Sequence, residues 1–131
     1  MVMRILSAIL LLATGLIHLA LVILVHVGGT LGVLFVLNGI AGVVLGVGVL
    51  AARGRLRTAA IVLGLLFLIA SLAALLLALT VGLFGITETW DFTLVPQTVV
   101  VEAIGIVVLA ITAGLSRRRL AATDEGRLGA S

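Results

Sequence analysis

Four long, uninterrupted apolar runs dominate this chain, at about residues 5–25, 31–52, 58–84 and 96–116. Each holds about 20 residues or more, and as an α-helix rising 1.5 Å per residue it would cover the ~30 Å hydrocarbon core of a bilayer. Residues of the hydrophobic class make up 63% of the 131 positions and charged ones only 10%, against about 45–50% and about 25% in ordinary soluble domains. So much apolar surface has no place in water. A transmembrane β-barrel is excluded because the runs are continuous and lack the alternation of barrel strands. Within lipid every backbone amide must be paired internally, which a helix does locally. The expected fold is therefore all-α: an integral membrane four-helix bundle, antiparallel and up-down, forming one domain over residues 1–116.

The breaks between the runs differ in chemistry. Val27-Gly28-Gly29-Thr30 reads as a tight uncharged turn, Arg53-Gly54-Arg55-Leu56-Arg57 as a basic turn, and residues 86–95 as a longer loop with Glu88, Trp90 and Asp91. Pro96 suits the first turn of the fourth helix, where its missing N–H is not needed. Residues 117–131 read as a frayed polar tail. The net charge of +3 comes from eight arginines and no lysine. Four spans starting inside put Arg4, then Arg53, Arg55 and Arg57, then Arg117, Arg118 and Arg119, and finally Arg127 all on one side. The positive-inside rule makes that side cytoplasmic. Both termini are thus expected in the cytoplasm, the tail included, with Trp90 anchoring the opposite interface. This charge arrangement points to a plasma-membrane protein that partners the bilayer and not nucleic acid.

The first run has a second reading. Arg4, the apolar stretch after it and Ala13-Thr14-Gly15 resemble a signal peptide with a small-x-small cleavage site. Cleavage would leave three spans in the same orientation. The run continues for ten more residues to Val25, which favours an uncleaved span.

Lipid removes the hydrophobic drive for helix association, so close packing through small residues takes over. Gly42 and Gly46 form a GxxxG pair in the second span. Ala70, Ala74, Ala78 and Gly82 make one stripe at four-residue spacing in the third, and Ala110 and Gly114 lie in the fourth. These residues are expected to pack within the bundle or to join copies of the chain in a homo-oligomer or larger membrane complex.

Intramembrane polar groups are costly and mark candidate functional positions. They are Ser7, Thr14 and His18, then Asn38, then Ser71 and Thr80, then Glu102 and Thr112. Counting from the ends of the runs puts His18 about 12 Å below the outer boundary, Asn38 about 10 Å and Glu102 about 9 Å. Thr80 approaches the same layer from the third span. His18, Asn38, Glu102 and Thr80 are therefore expected to form one polar layer in the outer leaflet. Three of them have a plainer reading: His18 as a packing histidine, Asn38 as interhelical glue and Glu102 as a carboxylate snorkelling outward. Glu102 has three states open to it: protonated, hydrogen-bonded to His18, or snorkelling. Glu88 and Asp91 read most simply as a solvated acidic loop. His26 would stand about 80° around the helix from His18 and ~12 Å away, so the two cannot readily share a metal ion.

The stretch Thr14-Gly15-Leu16-Ile17-His18-Leu19-Ala20-Leu21, then His26, then Phe35-Val36-Leu37-Asn38-Gly39-Ile40-Ala41-Gly42, resembles an uncharacterised family of short four-span integral membrane proteins of haloarchaeal and actinobacterial type. Members show Gly-Leu-x-His-Leu in span one and a second span rich in small residues. The resemblance covers mainly the first two spans and implies topology but no reaction. Bacterial members often carry an acidic residue beside the outer histidine. Here Val25 and Val27 flank His26, so a metal site there does not carry over.

No catalytic motif is present: no phosphate-binding Gly-rich loop with Lys, no HExxH and no paired carboxylates. The absence of cysteine excludes thiolate chemistry. No metal or cofactor is expected. The sequence favours a non-enzymatic structural or accessory subunit. The alternatives are a proton- or cation-coupled small transporter acting as an oligomer and, more weakly, a quinone- or metal-binding redox protein.

Overall fold

The computed structural model describes residues 1–130. It contains four helices: α1 (Val2–Leu24), α2 (Gly29–Ala51), α3 (Gly54–Thr80) and α4 (Val95–Gly129). All four are long and apolar enough to cross a membrane. Among the described residues the only β-type pairing is an isolated bridge between Leu83 and Ile86.

Two boundaries depart from the sequence expectation. The third apolar run continues to Phe84, but α3 stops at Thr80. The N–H groups of Val81 and Gly82 both bond the Leu77 carbonyl, and Gly82 sits at φ +85°. That is a left-handed C-terminal stop, so Gly82 lies beyond the helix and is no part of a packing stripe. The second departure is the tail, which is helical through Gly129 and not frayed as expected. Leu120, Ala121, Ala122 and the arginines are good helix formers. At 35 residues, α4 is about 52 Å long, well beyond the thickness of one bilayer core.

The connections follow local chemistry. Between α1 and α2 the chain turns through His26 at φ +56° and Gly29 at φ +61°. After α2, the Arg57 side chain reaches back to donate its Nε–H to the Ala52 carbonyl at 2.8 Å, a cation on a helix C-terminus. Two of the three arginines of the expected basic turn, Arg55 and Arg57, belong to the start of α3. The longer loop opens with Leu83 and Ile86 exchanging both backbone bonds at 2.8 Å around Phe84 and Gly85. Both central residues have positive φ, as a two-residue primed turn requires. Backbone bonds from Glu88 to Ala78 and from Val95 to Phe92 fold the loop back over the helix ends.

The helices pack in a ring, each against its chain neighbours and α4 against α1, while the diagonal pair α1 and α3 barely touch. The register shows in the glycines. A Cβ on Gly39 would meet Leu19, one on Gly42 would meet Gly15, and one on Gly46 would meet Leu12. Gly64 of α3 seats Leu109 and Leu11, and Gly105 of α4 seats Leu68. Numbers fall on one helix as they rise on its neighbour. The fully packed core, Ala8, Leu11, Val49, Ile61, Leu68, Leu109 and Ala113, fills the half of the bundle nearest the chain termini. The other half is less filled between α2 and α3, and there the site lies.

Candidate functional site

A cavity of about 410 Å³ occupies that other half. Its walls are Leu34, Phe35, Asn38 and Ala41 of α2, Phe67, Ala70, Ser71, Ala74 and Ala78 of α3, and His18 and Leu21 of α1. Val95 and Thr98 of α4 complete the walls, and Leu83, Phe84, Ile86, Glu88 and Phe92 of the long loop roof it. Its size and its apolar lining with a few converging polar groups match small-molecule sites in general. Ala70, Ala74 and Ala78, expected to pack by their spacing, all line this cavity, and Ala78 is buried as well. Their missing bulk is what leaves the space. Ala110 and Gly114 point away from the bundle, since both are exposed and nothing lies within 4 Å of a Cβ on Gly114.

Of the four expected polar residues, His18 and Asn38 line this cavity, Glu102 is tied to Asn38 through Ser71, and Thr80 does neither. Asn38 donates from Nδ2 to Ser71 Oγ at 2.9 Å, and Ser71 donates to Glu102 Oε1 at 2.6 Å. This chain of hydrogen bonds ties α2, α3 and α4 together. Glu102 is fully buried behind Ser71, and its Oε2 has no partner. Asn38 Oδ1 is likewise buried and unpartnered. Thr80 is exposed and only bonds the Leu76 carbonyl of its own helix at 2.7 Å. Ser71 takes the place expected for Thr80. Measured from the observed helix ends, His18 lies about 9 Å deep, Glu102 about 10 Å, and Asn38 and Ser71 about 13 Å each.

His18 is held on its own helix and not by Glu102. Its Nδ1 lies 2.8 Å from the Thr14 carbonyl oxygen. A carbonyl only accepts, so Nδ1 carries the proton. The ring meets Phe35 edge-on at a centroid distance of 5.2 Å. Nε2 makes no hydrogen bond among the described residues. His26 is exposed in the turn beyond α1, so the helical angle expected between the two histidines does not apply. Glu88 lines the outer rim, and partial burial pushes its carboxyl up from the ordinary value. Among the described residues, no three His, Cys, Asp or Glu side chains come together as a metal site would need.

Two further groups complete the polar inventory. Ser7 and Thr112 share a 2.9 Å hydrogen bond that joins α1 to α4, and Thr14 Oγ1 is buried without a partner. At the terminal end, Arg4, Arg57 and Arg119 line a second cavity with Met1, Thr112 and Ser116. Three arginines far apart in sequence thus converge on one end. Trp90 is exposed in the long loop at the other.

No protein-family model, curated protein or solved structure is detectably similar to the chain.

Proposed function

We propose that the protein is a small multi-pass component of the cytoplasmic membrane that acts by binding within the bilayer and not by catalysis, as a structural or accessory subunit. In this reading the bundle is antiparallel and up-down, with both termini in the cytoplasm. The positive-inside rule supports the orientation, because Arg4, Arg57 and Arg119 gather at one end. The chain has no cysteine, so single reporters are clean. Thr89→Cys is expected to react with a membrane-impermeant maleimide in intact cells, and Thr123→Cys only after permeabilisation. The reverse pattern would overturn the orientation.

The observation that carries the functional reading is the Asn38–Ser71–Glu102 chain, which spends the interior polar groups on joining helices. Glu102→Gln keeps an acceptor for Ser71. It is expected to lower stability by about 1 kcal/mol or less and to leave reconstituted vesicles without any Glu102-dependent proton flux. A second reading, a proton- or cation-coupled transporter acting as an oligomer, draws on the unpartnered Glu102 Oε2. Flux that Glu102→Gln abolishes at unchanged stability would establish that reading over the first.

A further inference from the structure

Two residues in the wall of the cavity roofed by the long loop, His18 and Asn38, each offer a hydrogen-bond acceptor that no donor meets. His18 is only 6% exposed and lines the wall. With Nδ1–H committed to Thr14, its Nε2 presents a lone pair. Asn38 stands in the same wall with Nδ2 committed to Ser71 and Oδ1 unpartnered. A buried acceptor left unmatched costs about 1–3 kcal/mol; Asn38 Oδ1 is one, and with the His18 lone pair in the same wall it calls for a donor there. Ser71 and Thr98 each donate their hydroxyl to another group, Glu88 stands at the rim, and the rest of the lining, from Phe35 to Phe67 and the alanine stripe, is apolar.

We propose that this cleft binds a lipid-phase alcohol, a largely apolar molecule whose hydroxyl donates to His18 Nε2 and whose chain leaves between α2 and α3. The exit follows from exposure. Leu34 and Leu37 on one rim and Ala70 on the other face outward, toward acyl chains in the membrane reading on which this proposal rests. A spanning helix from a second protein does not fit the same space. Such a helix is about 10–12 Å across with its side chains and would have to continue past the roof, where Leu83, Phe84 and Phe92 cross the cavity. A quinone or ketone offers only acceptors and leaves His18 and Asn38 unmatched. A quinol, a polyisoprenoid alcohol or a fatty alcohol supplies the donor, and the chemistry they share is the hydroxyl.

The test is photolabelling of the full chain in nanodiscs with a diazirine-bearing long-chain primary alcohol, competed by 1-dodecanol or by its methyl ether. Label is expected within residues 34–41 and 70–78, with the alcohol displacing it about tenfold better than the ether. His18→Leu is expected to erase that preference. Ala74→Phe, which fills the cavity from its apolar wall, is expected to remove the label itself while sparing the polar chain. It also serves if the histidine variant fails to fold. Equal competition by alcohol and ether would overturn the proposal, as would label spread evenly over the outer faces. Crosslinks between two copies through α2 and α3 that the alcohol cannot displace would show that another chain fills the cleft. Proton flux through Glu102 would overturn the accessory reading without touching this result, because the competition reports only what the cleft holds.

Discussion

Replacing Gly42 with leucine is expected to separate α1 from α2 and to abolish the folded bundle in mild detergent. The reason is what a side chain there would strike. A Cβ on Gly42 would stand 2.8 Å from the Cα of Gly15, 2.9 Å from its nitrogen and 2.9 Å from the Leu11 carbonyl oxygen. All three are backbone atoms, which no rotamer change can move. From the other side, a Cβ on Gly15 would lie 2.8 Å from the Gly39 carbonyl oxygen and 3.0 Å from the Val43 nitrogen. The two helices thus meet backbone to backbone, the close approach that small residues permit in membranes. Even Gly42→Ala is expected to cost about 1–3 kcal/mol, the usual penalty of overpacking. Two other glycines of α2 grade the effect. A Cβ on Gly46 would meet the Leu12 side chain at 2.8 Å, and that side chain has rotamers to escape into. One on Gly48 would meet only the Ala60 Cβ, at an ordinary 3.5 Å. Gly48→Ala is therefore expected to be neutral or to stabilise, since alanine is the better helix former by about 0.8–1.0 kcal/mol. Thermal unfolding of the three alanine variants in one detergent should rank them Gly42, Gly46, Gly48 from most to least damaging. Equal midpoints for Gly42→Ala and Gly48→Ala would refute the close contact.

The glycine seam also marks how far the sequence can be read. Gly42 and Gly46 stand out by their spacing, but Gly15, the partner of Gly42, has no GxxxG signal of its own and is visible only once α1 and α2 are set in register. Helix number and most boundaries follow from apolar length alone, because each run must satisfy its own backbone. The end of α3 does not follow. Val81, Leu83 and Phe84 are as apolar as the helix before them, and the stop is made by a positive φ at Gly82, a conformational event that hydropathy cannot register. That four-residue error passes directly into the site. Depth counted from Phe84 brings Thr80 into the polar layer. Counted from the true end at Thr80, the residue at matching depth is Ser71. His18, Asn38 and Glu102 could be placed because their helices begin or end near visible breaks. The cavity itself was illegible, since an alanine stripe has the same spacing whether a neighbour packs on it or leaves it open. The helical tail was hidden for the opposite reason: its charges read as polarity, while helix propensity governs whether it folds.

Ser71→Ala is expected to be the most damaging single-atom change in the polar interior. The hydroxyl serves two partners, accepting from Asn38 Nδ2 at 2.9 Å and donating to Glu102 Oε1 at 2.6 Å. Asn38 Oδ1 and Glu102 Oε2 are already unpartnered. Without the hydroxyl, both residues lose the one side-chain hydrogen bond each makes, and Glu102 is fully buried. An unsatisfied buried group costs about 1–3 kcal/mol, while hydrogen bonds between membrane helices average only about 0.6 kcal/mol with a maximum near 1.7. In the membrane reading proposed above the smaller figure governs each bond, and two are lost together, so the expected destabilisation is about 2 kcal/mol. Thr80→Ala sets the baseline. Its hydroxyl is exposed and bonds only its own helix, so a loss near zero is expected. Removing the stranded carboxyl as well separates desolvation from lost packing. The double variant Ser71→Ala with Glu102→Leu is expected to be more stable than Ser71→Ala alone, because apolar replacement of a partner removes the unmet group instead of exposing it to a dry interior. Reversible unfolding of the four proteins in one detergent checks both statements. A Ser71→Ala midpoint no lower than that of Thr80→Ala would mean the chain does not hold the helices. A double variant weaker than Ser71→Ala alone would mean that Glu102 stabilises the bundle by its volume and not through Ser71.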